Sequence, residues 1–344
     1  WRSKNQYQPF GRNRMMETVY DFRPKEDYQH DVFANEQIPD AMTVLQQYDT
    51  PMFSIGDVST ITGLAKSRKT FFVVSIIAAF LNKSGFMGMR SDLDDKRVLL
   101  IDTEQSRAFV QRLVRRVYRL MGWDYSIDVR DRLRVLSLRE LTYDQRYEIT
   151  TNTIDQFKPT LVIIDGSADL LQNTNELDPS VDMVQKLMRL SSEKSCHICS
   201  VVHTNPNSEK TRGHFGSELI RKSETVMLIT REGDVTTVKP QFTRNMEFAP
   251  FSFIVNERGL PELTDMPQPK QENLRSIFEE IYSYSTFLSW GDLHSKLMDV
   301  TGKGKTACEN RIKRGLEQQF IYKDINSMYR LYIKENTESE SLPF

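Results

Sequence analysis

Two apolar runs, each closed by an aspartate, constrain this chain most: RVLLID at 97–102 and LVIID at 161–165. Neither alternates polar with apolar residues, so both faces of each strand must be buried, as in a parallel sheet covered on two sides. From 51 to 255 such runs alternate with helical patterns, which predicts an α/β domain. Strands are expected at 58–62, 97–102, 133–136, 161–165 and 198–203. Helices are expected at 70–82, 106–121 and 142–157, with another opening at Pro179. The stretches 226–230, 235–238 and 251–255 read as antiparallel additions at the end of the sheet.

Residues 1–50 are polar and poorly periodic, with a basic start (Arg2, Lys4, Arg12, Arg14, Arg23, Lys25) and scattered rings at Tyr7, Phe10, Tyr20, Phe22, Tyr28 and Phe33. They read as an arm whose aromatic residues anchor on a neighbouring surface. One helix is expected within it, at 40–48, with Ala41, Val44 and Leu45 on its apolar side. Residues 256–271 are rich in proline, glycine and charge, which predicts a linker. Residues 272–333 read as three helices and a hairpin, the pattern of a small winged-helix domain. Residues 334–344 form a polar tail.

The 344 residues carry 46 Lys and Arg against 47 Asp and Glu, a balance that neither requires nor forbids a nucleic-acid partner. The longest apolar run, Phe71 to Leu81, is too short to span a bilayer, so no membrane partner is expected. Three cysteines without a secretory leader predict a cytoplasmic setting, and an opening at Trp1 reads as a trimmed fragment.

Between the first strand and its helix lies G-L-A-K-S-R-K-T, residues 63–70. Gly63, Leu64, Ala65, Lys66, Ser67, Arg68, Lys69 and Thr70, with Phe71 behind them, have the spacing of a phosphate-binding loop. In such a loop backbone N–H groups, a lysine and a hydroxyl surround an anion at a helix N-terminus. Arg68 stands where the second glycine belongs. The competing reading is an ordinary strand–turn–helix connection. Against it, Lys66, Arg68 and Lys69 crowd positive charge where the helix dipole disfavours it, a cost that an anionic ligand relieves. The side chain of Arg68 is expected to point away from the phosphates while its N–H faces them.

Further polar residues sit at expected strand ends. Glu104, in Asp102-Thr103-Glu104, is a candidate general base on a strand taken to adjoin the phosphate-loop strand; the alternative is an acidic first turn of the next helix. Asp165 closes an apolar run, as a carboxylate that orders a magnesium shell does, and as many buried strands also do. His203, in His203-Thr204-Asn205, reads either as a sensor of the terminal phosphate or as a strand end with a turn. Residues 205–214 read as a mobile polar loop. Lys239 and Arg244, with Arg231 as an alternative, are candidates to reach a neighbouring subunit's phosphate, or plain charges on an edge hairpin. Cys196-His197-Ile198-Cys199 has metal-like spacing, but strand residues three apart face opposite ways and Cys308 lies far along the chain, so core thiols are expected. Lys303, Lys305, Arg311, Lys313, Arg314, Lys323 and Arg330 make the last helix and hairpin basic, which suits DNA or a docked protein.

In this order the motifs resemble those of the RecA-like P-loop ATPases over residues 53–255. Within these the chain resembles the RepA/DnaB-type hexameric helicase branch, and the AAA family ATPases of Bacteroidetes mobile elements, whose loops share a K-S-[KR]-K-T ending. The resemblance implies ATP and Mg2+ as cofactors, Lys69 on the β- and γ-phosphates, and Thr70 and Asp165 on magnesium. It also implies Glu104 as base, His203 as sensor, Arg244 as a finger separated from Lys239 by two extra residues, and a DNA-binding loop before Gly216-Ser217. The function expected is an ATP-hydrolysing, ring-forming DNA motor, helicase or loader for replication or transfer of a mobile element, hexameric and served by replication or mobilisation proteins. A nucleotide-gated DNA- or partner-binding protein with weak or no hydrolysis is the alternative. A strand-exchange recombinase is a third reading.

Overall fold

The computed structural model describes residues 31–205, 211–267 and 274–332. The basic start of the arm with its rings up to Tyr28, and the tail from Lys334, lie outside the described residues.

The chain forms a mostly parallel sheet with helices on both faces. Its centre is β3 (Val58–Gly63), which pairs in parallel with β8 (His197–His203) on one side and β9 (Thr225–Glu232) on the other. Beyond β8 follow β7 (Leu161–Asp165), β5 (Val98–Asp102) and β6 (Leu133–Ser137), all parallel. Beyond β9 the sheet continues antiparallel through β10 (Val235–Thr243), β11 (Phe251–Val255) and β12 (Pro261–Thr264).

The central strands are apolar throughout because each supplies two cores. Val98, Leu100, Leu161 and Ile163 face α1 (Lys69–Leu81) and α2 (Arg107–Met121). Leu99, Ile101, Val162 and Ile164 face α3 (Tyr143–Phe157), α4 (Leu177–Glu193) and α5 (Gly213–Lys222). Alternation along a strand thus appears as a choice between two apolar faces, not between core and water. Helix α1 is buried almost all round, whereas only Val110, Leu113 and Val117 of the arginine-rich α2 are buried.

Two expectations change here. The helix expected at 40–48 is β1 (Thr43–Gln47), which pairs with β2 (Thr50–Ser54) and β4 (Met89–Arg90) in a small antiparallel sheet. Register shifts on either side of Leu45 let consecutive residues Val44 and Leu45 both enter the core, which imitates helical spacing in the sequence. Within the expected linker, Pro261–Thr264 adds to the sheet as β12, because Asn256 accepts the N–H groups of Arg258 and Leu260 and folds a turn.

The remaining elements enclose a core of their own. Helices α6 (Leu274–Tyr282), α7 (Trp290–Thr301) and α8 (Lys305–Glu317) pack with the hairpin β13 (Ile321–Lys323) and β14 (Tyr329–Leu331) around Phe278, Leu293, Leu297, Cys308 and Ile312. Ser289 caps α7 by accepting the Asp292 N–H. Among the described residues, no helix is long and apolar enough to cross a membrane.

Candidate functional site

Gly63 ends β3, and the loop 64–68 leads straight into α1. Leu64, Ala65 and Lys66 are exposed while Ser67 and Lys69 are buried. Lys66 and Arg68 both take positive φ, 63° and 71°, so Arg68 adopts the left-handed conformation that glycine favours. Its side chain leaves the loop for the β9–β10 turn. There Nη1 donates to the Asp234 carbonyl at 2.5 Å and Nη2 lies 3.3 Å from the Asp234 carboxylate, which Arg231 also approaches at 3.8 Å. Phe71, half-buried, lies under the Arg116 guanidinium at 4.3 Å. The N–H groups of Phe71 and Phe72 donate to the Arg68 carbonyl, at 3.0 and 3.2 Å, which leaves those of Lys69 and Thr70 as the donors of the helix start.

Lys69 turns its ammonium onto the Gly63 and Leu64 carbonyls, each at 2.9 Å, and onto His203 Nδ1 at 2.9 Å. An ammonium only donates, so Nδ1 is the acceptor and the ring proton sits on Nε2. Nε2 donates in turn to Glu104 Oε1 at 3.2 Å. Lysine, histidine and glutamate are thereby joined across three strand ends. The bond from His203 and the charge of Lys69 hold the Glu104 carboxyl below its usual range despite burial. Burial lowers Lys69 to about 8, against the pull of Asp165 and Glu104.

Asp165 closes β7 beside this chain and accepts the Thr70 hydroxyl at 3.0 Å. Burial, with Asp102 and Glu104 nearby, raises it to about 7. A buried carboxylate beside a hydroxyl, short of compensating charge, is a donor set that suits a small oxygen-seeking dication. Thr70 and Asp165 would hold Mg2+ there, and the ion would neutralise charge on bound phosphates.

Residues that the sequence reading passed over set this geometry. Asp102 accepts the N–H groups of Glu104 and Gln105, at 3.1 and 2.7 Å, and so fixes the turn that presents Glu104. Thr103 ties the ends of β5 and β7 together. Its N–H donates to the Asp165 carbonyl at 2.8 Å, and its hydroxyl accepts the Gly166 N–H at 3.1 Å and lies 2.9 Å from the Gly166 carbonyl. Gly166 leaves room for the Glu104 carboxylate: an added Cβ would overlap its Oε1 and sit 3.1 Å from its Cδ. A polar residue directly before a candidate base, and a glycine directly after a metal-type aspartate, are the only sequence signals of these roles.

One expectation about Glu104 is corrected. Its strand, β5, does not adjoin β3; β8 and β7 lie between them, and Glu104 reaches the loop through His203 at the end of β8. Lys239 lies level with Thr62, two strands across from the end of β3, whereas Arg244 is not brought to the loop. Lys239 pairs with Leu228 inside the sheet, and the extra residue Gln241 is taken up by a bulge between Pro240 and Phe242. Arg244 lies at the opposite edge, where it donates to Asp57 Oδ1 at 3.2 Å and to the Lys222 carbonyl at 2.6 Å. The length of β3 alone separates that edge from the loop by about 17 Å, at a rise of about 3.3 Å per residue. Of the segment expected as a mobile loop, 206–210 lie outside the described residues, and from Gly213 the chain is α5. Cys196, Cys199 and Cys308 are free buried thiols; burial raises Cys196 to about 12 and Cys199 further.

The site can therefore hold phosphates at a helix start, hold a dication at Thr70 and Asp165, and offer an ionised carboxylate to a water molecule. Residues 25–209 match the sequence profile of a family described as AAA domain. No curated protein matches the chain. Among solved structures, a RadB recombinase matches at 16% identity over 63% of this chain and 93% of that one, with a TM-score of 0.45.

Proposed function

The chain belongs to the AAA domain family, and on that premise we propose that it is an ATP-hydrolysing, ring-forming DNA motor or loader that serves replication or transfer of a mobile element. The observation that carries hydrolysis is the continuous contact from Lys69 through His203 to Glu104, beside Thr70 and Asp165. Water attacks the γ-phosphorus, its proton passes to Glu104 and the bond to the ADP oxygen breaks. Lys69 takes up charge on the β- and γ-phosphates. His203, touching both lysine and base, senses whether the terminal phosphate is present.

Arg244 supports the ring reading by its distance from this chain's own loop: a finger at the far edge of the sheet can serve only a neighbour's nucleotide. The three helices and hairpin of 274–332 suit a winged-helix domain, whose exposed Lys303, Lys305, Lys313 and Arg314 favour a DNA duplex. The test is ATP hydrolysis with and without DNA. Stimulation that disappears in Lys69→Ala and Glu104→Gln supports the reading, and full activity in both variants refutes it. Tight nucleotide binding with negligible wild-type turnover would favour a nucleotide-gated binding protein instead.

A further inference from the structure

The outer face of the C-terminal hairpin is aromatic where a solvated strand face is ordinarily polar. Directions alternate along each strand, so Ile321 and Tyr329 enter the core while Tyr322 and Arg330, which pair across the ladder, point outward together. Tyr332 continues that face, with its N–H on the Phe320 carbonyl and its ring 6.3 Å from that of Tyr322. On the other side Leu288 bridges to Tyr329 and is buried, which turns its neighbour Phe287 outward, under the Arg330 guanidinium at 5.3 Å. Phe287, Arg330, Tyr322 and Tyr332 thus form one strip, and its three rings remain 49%, 43% and 43% exposed. Lys323, the ladder partner of Tyr329, belongs to the opposite face, with its ammonium 5.8 Å from the Tyr329 ring. The nearby carboxylate, Asp324, is engaged by Arg330 Nε and by the N–H groups of Asn326 and Met328, which hold its pKa down and fold the turn.

We propose that this strip, Phe287–Arg330–Tyr322–Tyr332, binds single-stranded nucleic acid by stacking bases on its rings. Exposed aromatic rings with a guanidinium beside them are what successive bases require, and each ring contributes separately. A protein partner is less well served, because a stable protein interface buries roughly 800 Å² on each side, far more than four side chains provide. A duplex hides its base faces, so this surface is distinct in substrate from the basic exposed side of α8, whose charges address phosphates. The inference rests on the DNA-partner part of the proposed function and not on hydrolysis. Together the two surfaces would let the C-terminal unit hold a junction between duplex and single strand.

The test uses the full chain and fluorescence anisotropy with a labelled oligothymidine and a labelled duplex. Tyr322→Ala with Tyr332→Ala should weaken oligothymidine binding at least tenfold, since a lost stack typically costs about 1–3 kcal/mol. Duplex binding and the melting temperature should not change, and Tyr322→Phe with Tyr332→Phe should bind as wild type. If the alanine variant keeps wild-type oligothymidine affinity, as it would were the strip a protein-docking surface, the proposal is overturned. Equal loss in the alanine and phenylalanine variants overturns it as well, because stacking needs only the ring. A wild-type protein that binds oligothymidine through the strip without hydrolysing ATP refutes the motor reading alone; DNA-stimulated hydrolysis with binding indifferent to the tyrosines refutes the strip alone.

Discussion

Gly166→Ala should separate nucleotide binding from turnover. The φ and ψ of Gly166, −104° and 118°, are open to any residue, so the change brings no left-handed strain. Its new Cβ, however, would overlap Glu104 Oε1 and lie 3.1 Å from Cδ and 3.4 Å from Cγ. Unstrained carbon contacts begin at about 3.5 Å, so one partner must retreat by about 1 Å at the oxygen. The backbone of Gly166 is held on both sides by Thr103, through its N–H at 3.1 Å and its carbonyl at 2.9 Å. Glu104 is anchored by the bond to His203 at 3.2 Å, and its side chain is 42% exposed. The carboxylate therefore yields, and the His203 bond goes with it. A displacement of about 1 Å at a reacting group can cost about 100-fold in rate. Steady-state hydrolysis should show kcat down by about that factor, while equilibrium binding of a fluorescent ATP analogue stays within threefold of wild type. A folded Gly166→Ala protein with kcat within threefold of wild type would refute the packing argument.

Two further outcomes follow from the same site. Arg68 sits in a conformation that costs an ordinary residue about 1–2 kcal/mol, whereas its contact with the exposed Asp234 carboxylate is worth about 0.2–1 kcal/mol. Both Arg68→Gly and Arg68→Ala lose the bonds to Asp234, but only glycine also relieves the backbone strain. Thermal unfolding should therefore rank the glycine variant above the alanine variant; alanine matching glycine would show that the strain is absent. The pH dependence of Mg–ATP binding is set by two groups with opposite needs. Asp165, raised to about 7, must lose its proton to hold Mg2+, and Lys69, lowered to about 8, must keep its proton to hold phosphate. Affinity should fall below about pH 7 and above about pH 8, and calorimetry in buffers of different ionisation enthalpy should show proton release at the acid end and uptake at the alkaline end. In the nucleotide-free protein the signs follow from the same shifts. Ionising Asp165 costs stability as pH rises through about 7, and a charged Lys69 costs it as pH falls through about 8. Binding that releases or takes up no protons across this range would refute both assignments.

Local pattern sufficed where a residue's role depends on its own strand or helix. The runs ending at Asp102 and Asp165 required two covered faces, and the sheet has them. The spacing from Gly63 to Thr70 required a strand–turn–helix passage, and β3 and α1 supply it. Pattern misled where a bulge rearranged consecutive residues, as at Val44 and Leu45, and where a four-residue strand borrowed its stability from a neighbour, as β12 does from β11. Strand order is invisible in a sequence, because pairing between strands a hundred residues apart leaves no local mark. Tertiary structure alone therefore decided that β8 and β7 separate Glu104 from the loop, and that His203 spans the gap to Lys69. It also decided that Arg244 lies at the sheet edge opposite the loop, and that Arg68 holds a glycine's conformation with its side chain on Asp234. The sequence determined which chemical groups stand at strand ends; contacts among distant ends determined which of them meet, because only folding brings their distances within hydrogen-bond reach.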